Sequence, residues 1–266
     1  MPFTFAHPAA ILPIRRAAPR RFVLSALVIG SMTPDFAYLM PGLVSRLQSH
    51  SLRGSVFFSL PVGFATYVIY HLVLKVPLAA LLPASLQPRA AEQIARWPGL
   101  PNRSIPAILF SLWVGALTHI AWDSFTHAGS PVVMRLPALS ATLFTVFGYP
   151  VRCFRLLQHV STLAGLLAIA WVLRGVARRA PEQPVLALPT ERLSAPERAA
   201  RIAALVLLPA VAALALVWED WREAASSADY HSAMFVTVAT SLTCLGLALL
   251  VYGLAWHALR RRSGPS

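Results

Sequence analysis

Charge is what this sequence has least of. Only 12% of its 266 residues are Asp, Glu, Lys or Arg, against 57% hydrophobic. An ordinary soluble domain carries roughly 25% charged residues, so this chain cannot cover a globule of its size in water. Disorder is excluded by the same numbers, because a disordered chain needs low hydrophobicity. A mean hydropathy of +0.62 agrees. Lysine is nearly absent: of the 23 basic residues, 22 are Arg and one is Lys75. They fall in short groups between apolar stretches, which is a loop pattern and not a nucleic-acid face, so no nucleic-acid partner is expected. Cysteine is scarce too. Cys153 and Cys244 stand alone, without CxxC spacing, and a metal site would have to use His and carboxylates. Acids are the scarcest of all where they matter: up to residue 181 there are only Asp35, Glu92 and Asp123.

What is present is apolar sequence of membrane-crossing length. Runs at 56–74, 105–122, 156–173, 202–218 and 233–256 each match a hydrocarbon core of roughly 30 Å. A sixth, 22–41, contains Pro34 and Asp35; 136–149 is broken by Pro137 and Gly148 and reads as re-entrant or interfacial. The expected fold is all-α, a polytopic membrane helical bundle of about six transmembrane helices, within a range of five to seven. With six spans, the loops 1–21, 75–104, 174–201 and 257–266 carry 17 of the 23 basic residues and the other loops six. The positive-inside rule then places both termini in the cytoplasm. Arg20-Arg21 before an apolar run faintly suggests a twin-arginine signal, but no A-x-A site follows. Residues 1–175 hold nearly all the unusual polar groups, 176–201 form a Pro/Arg-rich linker, and 202–266 read as a two-helix hairpin with a basic tail.

Asp35 and Asp123 each lie at or near the end of an apolar run, where a carboxylate costs a few kcal/mol unless paired, wetted or cation-bound. His119, Asp123 and His127 recur at i, i+4 and i+8. On a helix these line one face, and a His-x-x-x-Asp pair there offers a divalent metal an imidazole and a carboxylate. The alternative is plainer: Asp123 caps a helix and the histidines face interfacial water. In Gly30-Ser31-Met32-Thr33-Pro34-Asp35 the proline breaks the helix just before the acid, unless Asp35 serves as an N-cap. Ser49-His50-Ser51 fills a short loop. By the span count, Asp35, His50, Asp123, His127 and His159 all fall at outer ends, with His119 about a turn deeper. His7 joins them if residues 5–15 and 22–33 form a helical hairpin turning near Pro19. His71 lies deep in its span and reads first as a structural histidine.

The opening Met1-Pro2-Phe3-Thr4-Phe5-Ala6-His7-Pro8-Ala9, the GSMTPDF stretch at 30–36, SHSLRG at 49–54, GALTHIAWDSFTH at 115–127 and Gln158-His159-Val160-Ser161-Thr162 resemble, in order, an uncharacterised bacterial membrane-protein family classed as a domain of unknown function. The resemblance covers roughly 1–175 and extends loosely beyond. More distantly, the layout is similar to membrane-bound metal-dependent hydrolases with an N-terminal His, a Pro-Asp, a Thr-His-Ser and a His-x-x-x-Asp; Ser49-His50-Ser51 departs from it by one hydroxyl residue. The last element is also similar to one in zinc-dependent phospholipase C and related nucleases, which implies a His/Asp-bound metal acting on phosphoesters. The resulting expectation is a metal-dependent hydrolase of the bacterial plasma (inner) membrane. His7, Asp35, His50, His119 and Asp123 would be metal ligands, and His127 and His159 catalytic. The cofactor would be a divalent metal, Zn with Mn or Fe as alternatives. Partners would be the lipid bilayer and a lipid-linked or phosphoester substrate. Two other functions fit the composition: a proton- or ion-coupled transporter using His71, and a non-catalytic scaffold or accessory protein. The hydrolase requires His119, Asp123, Asp35 and His50 to share one point.

Overall fold

The computed structural model describes residues 4–18, 21–40, 42–95, 97, 99, 104–146, 148–178 and 193–262. Five stretches are long and apolar enough to cross a membrane: Leu52–Leu81, Ile105–Arg135, Cys153–Arg178, Ala195–Leu216 and Ser232–Arg260. The protein is an all-α polytopic helical bundle, with the span count at the low end of the expected range. The stretch 22–41 is not a span. It divides into helix α2 (Leu24–Gly30) and a 3-10 segment, Thr33–Leu39. Pro34 in the first 3-10 turn is the physical reason: it lacks an N–H and clashes with a continuing α-helix.

Two compact units emerge, Met1–Tyr67 with Gly99–Arg178, and Val68–Pro98 with Arg179–Ser266. The first collects the N-terminal segments and three helices. Chain from Thr4 to Ile11 is a 3-10 segment that continues as α1 (Leu12–Ala17). With α2 it gives the two short limbs foreseen around Pro19, a residue outside the described set. Next come α3 (Arg46–Ser49), the first part of α4 (Leu52–Leu81) and, past α5 (Gln87–Ala95) of the second unit, α6 (Ile105–Thr126). Short helices α7 (Pro131–Arg135) and α8 (Pro137–Ser140) follow. A two-stranded antiparallel hairpin, β1 (Thr142–Val146) and β2 (Tyr149–Arg152), then leads into α9 (Cys153–Arg178). The expected interfacial segment 136–149 is thus α8 and most of this hairpin; Gly148, at φ 83°, makes the turn that the left-handed region requires.

The core of the first unit is built from small residues at a close helix crossing. Gly30 of α2 lies against the backbone of Leu112 in α6, and Gly115 of α6 against the backbone of Leu27 in α2. A β-carbon at either position would overlap those carbonyls, so the two helices touch backbone to backbone, as small residues permit in membranes. Ala26, Leu27, Ile108, Leu112 and Ala116 are buried around the crossing. Ser111 Oγ, 2.9 Å from the N–H of Val23, satisfies an orphan donor at the start of α2. The first 3-10 segment packs between α6 and α9, with Ala6 against Gly165.

In the second unit, α10 (Ala195–Leu216) starts at a Ser194/Glu197 capping box, packs on α12 (Ser227–Arg262), and is joined to it by α11 (Trp218–Glu223). The far end of α4 belongs here. A π-turn over Tyr70–Leu74 precedes Pro77, whose ring cannot bond the carbonyl of Val73; that freed carbonyl takes His257 Nε2 at 3.1 Å. Ala80, Leu81 and Leu193 form the local core with Tyr252 and Trp256. By contacts, Val68–Pro98 groups with the C-terminal helices. Most of the linker, 179–192, lies outside the described residues.

Candidate metal centre

Asp35, His50, His119 and Asp123 come together. One ligand atom from each lies within 4.8 Å of all the others. Three separate pieces of backbone deliver them, and each is held by identifiable local chemistry. After α2 ends at Gly30, Thr33 Oγ1 bonds back to the Gly30 carbonyl at 2.8 Å, and the 3-10 turn carries Asp35 inward. The residue at that turn's N-cap is Met32, not Asp35. The Asp35 carboxylate instead accepts a 2.7 Å bond from Thr4 Oγ1, which ties the first limb of the N-terminal hairpin to the second. His50 ends α3, whose capping box pairs Ser45 with Gln48. Ser51 caps α4 through the N–H of Gly54 at 2.9 Å, and Gly54 lies hard against the Gln48 carbonyl. That tight corner fixes the position of His50. His119 and Asp123 share one face of α6, as their spacing requires. Asp123 is interior to the helix and caps nothing. The helix ends at Thr126 and the chain turns away at His127, with Gly129 at φ 73°.

Two backbone carbonyls set the histidine tautomers. His119 Nδ1 is 2.8 Å from the Ser31 carbonyl and His50 Nδ1 is 3.1 Å from the Arg46 carbonyl. A carbonyl only accepts, so both rings carry their proton on Nδ1 and present a lone pair at Nε2. Those two Nε2 atoms are 3.2 Å apart. His50 Nε2 lies 3.3 Å from Asp35 Oδ1 and 3.3 Å from Asp123 Oδ2; for His119 Nε2 the distances are 3.5 and 3.6 Å. Four electron-rich atoms therefore face one another in a buried space. With both rings neutral the four repel and desolvation sharpens the cost; a proton on one ring or a bound cation relieves it. Five of the six distances among these atoms are 3.2 to 3.6 Å and none exceeds 4.8 Å, a spacing at which one ion can touch all four donors. The donor set fits a metal ion.

Around this core stand three more groups. His7 is 1% exposed, stacks on His119 at 3.6 Å between ring centroids, and places Nε2 3.6 Å from Asp123 Oδ1. Neither of its ring nitrogens, nor Asp123 Oδ1, has a hydrogen-bond partner among the described residues. Burial, and next the neighbouring His119, push His7 from 6.5 down to about 3, so it is neutral and ligand-competent at ordinary pH. For Asp35 burial acts in the opposite direction, yet His119 and the hydrogen bonds around it hold the carboxyl well below the usual range. His127 Nδ1 reaches 3.4 Å from Asp123 Oδ2, with Nε2 unpartnered among the described residues. Arg46 Nη2 reaches the same oxygen at 3.3 Å.

His159 stands apart. It is exposed on α9 and takes no part in these ion pairs, while its neighbour Gln158 is the buried residue. His71 stacks on Trp97 at 4.7 Å in the second unit. Three participants escaped sequence reasoning: Thr4, the Ser31 carbonyl and Arg46. Thr4 sits three residues before His7, and a helical limb puts both on one side, which was a usable signal. A carbonyl carries none, and Arg46 was counted only as a loop charge.

The family described as Domain of unknown function (DUF4184) matches residues 1–255, and the chain belongs to it. No curated protein and no solved structure matches the chain.

Proposed function

We propose that the protein is a metal-dependent hydrolase seated in a plasma membrane, acting on a phosphoester or lipid-linked substrate at the membrane surface. The observation that carries the metal is the gathering of two imidazole Nε2 atoms and two carboxylate oxygens within 4.8 Å of one another in a largely buried space. A bound divalent ion, best matched by Zn, would supply Lewis acidity and a water acidic enough to attack at neutral pH.

The chain's own residues do the rest. Asp35, His50, His119 and Asp123 hold the ion, with Ser31, Arg46 and Thr4 fixing their orientation from behind. Neutral His7, aimed at the free side of Asp123, completes or buttresses the ligand set. His127 is the proton carrier at the edge of the cluster: its Nδ1 faces Asp123, which leaves the Nε2 lone pair to accept the proton of an attacking water. His159 was expected in this role, but its exposed position leaves it, at most, to meet substrate outside the cluster.

Exposed apolar side chains near the site, Leu43, Leu47, Leu52 and Phe57, suit a mouth that opens to lipid. Thr4 is bonded to Asp35, so the hairpin's limbs start and finish together and Arg15, Arg16 and Arg21 lie toward its tip. With the four arginines of the hairpin left out of the count, the basic residues still divide 13 to six, and Thr4 lies on the site's side. By the positive-inside rule the site faces away from the cytoplasm.

The test is hydrolysis of a short-chain phospholipid or an aryl phosphodiester by metal-loaded protein in detergent. Turnover should vanish with chelator and in Asp35→Asn, and fall about 100-fold or more in His127→Ala. Turnover unchanged in Asp35→Asn would refute the reading.

A further inference from the structure

Among the described residues, Arg46 is the one arginine or lysine whose side chain enters the cluster. Its backbone carbonyl orients His50, and its guanidinium lies 3.3 Å from Asp123 Oδ2 with 31% of the side chain exposed. That oxygen is also one of the four donors, approached by His50 at 3.3 Å and His119 at 3.6 Å. Guanidinium and ion therefore compete for the same lone pairs. Charge decides what happens next. Asp35 and Asp123 supply two negative charges, and a divalent ion cancels both. Arg46 then has no carboxylate left to neutralise it, in a half-buried position where an unpaired charge is costly. It is left beside the ion, at the open side, needing an anion.

We propose that Arg46 exchanges partners. In the metal-free protein it pairs with Asp123; with the ion bound it is released and holds an anionic oxygen of the ligand, making the site selective for phosphate monoesters or diesters over neutral esters. The planar fork of Arg suits two phosphate oxygens. This rests on the metal-centre reading above. The ligand chemistry, a phosphate oxyanion, can come from a lipid headgroup or from a soluble phosphoester. Exposed Leu43 and Leu47 on either side of Arg46 point to the headgroup.

The experiment measures metal affinity and inorganic phosphate binding by full-length protein in lipid nanodiscs, for wild type, Arg46→Gln and Arg46→Lys. Partner exchange predicts that Arg46→Gln binds the metal as tightly as wild type or up to about tenfold more tightly, because a competitor is gone, while phosphate affinity of the loaded protein drops at least tenfold. Arg46→Lys, which keeps the charge and loses the fork, should fall between. Equal phosphate affinity in loaded wild type and Arg46→Gln overturns the proposal; so does a loss of metal affinity in Arg46→Gln, which would make Arg46 a support of the metal site. Wild type without metal sinks the metal-centre reading itself, a distinct result. Two arms separate the sources, both with the anion site standing: phosphatidate in the nanodisc displacing bound phosphate indicates a headgroup, and its failure to do so while glycerol phosphate succeeds indicates a soluble ester.

Discussion

Asp123 is the residue on which the site turns. Its Oδ2 is approached by His50, His119, His127 and Arg46, and its Oδ1 by His7. Asp123→Asn preserves shape but replaces one oxygen ligand by an amide that cannot carry the charge. Metal affinity should fall at least about 100-fold with the helical circular dichroism unchanged. A subtler change tests the outer ring. Thr4→Val removes the 2.7 Å bond to Asp35 without touching a ligand, and should lower metal affinity by about tenfold; unaltered affinity would show that Asp35 needs no such support. At this scale the sequence was a good guide. The His-x-x-x-Asp spacing and the scarcity of acids singled out three of the residues that meet, His119, Asp123 and Asp35, because spacing on one helix and the cost of a membrane carboxylate are local facts. Arg46 was missed because its meaning depends on a partner 77 positions away.

Helix α6 carries two ligands, and its packing on α2 places a third contact, the Ser31 carbonyl that orients His119. Gly30 and Gly115 let those helices touch. Gly115→Val should push them apart, lower stability by roughly 1–3 kcal/mol, and weaken metal binding without altering any ligand. Gly246→Ala is the matched control: nothing lies within 4 Å of the added carbon, so it should be neutral or stabilising by up to about 1 kcal/mol. Thermal melts in detergent, with and without metal, read both. Sequence periodicity found the long helices but not the elements between them. It counted 22–41 among the spans by apolar length although Pro34 marked the break inside it, and it could not see the β1–β2 hairpin, whose pairing depends on a turn at Gly148 and not on a run of alternating residues.

Across the whole molecule, the scarcity of charge and its placement have separate meanings. Basic residues mark loops; the two buried carboxylates mark the centre. Because the ligands belong to segments far apart in sequence, from Asp35 to Asp123, metal binding and folding of the first unit should be linked. Saturating metal, at about 100 times Kd, should stabilise the protein by about 2.7 kcal/mol. Metal retention should fall as pH drops, since protons compete with the ion for the histidine nitrogens. The central claim is tested most directly by the metal content of detergent-purified wild-type protein and its Asp123→Asn variant. The four-donor cluster predicts about one divalent ion per chain in the wild type and essentially none in the folded variant. Wild type that takes up no ion even after incubation with Zn, Mn and Fe would contradict it.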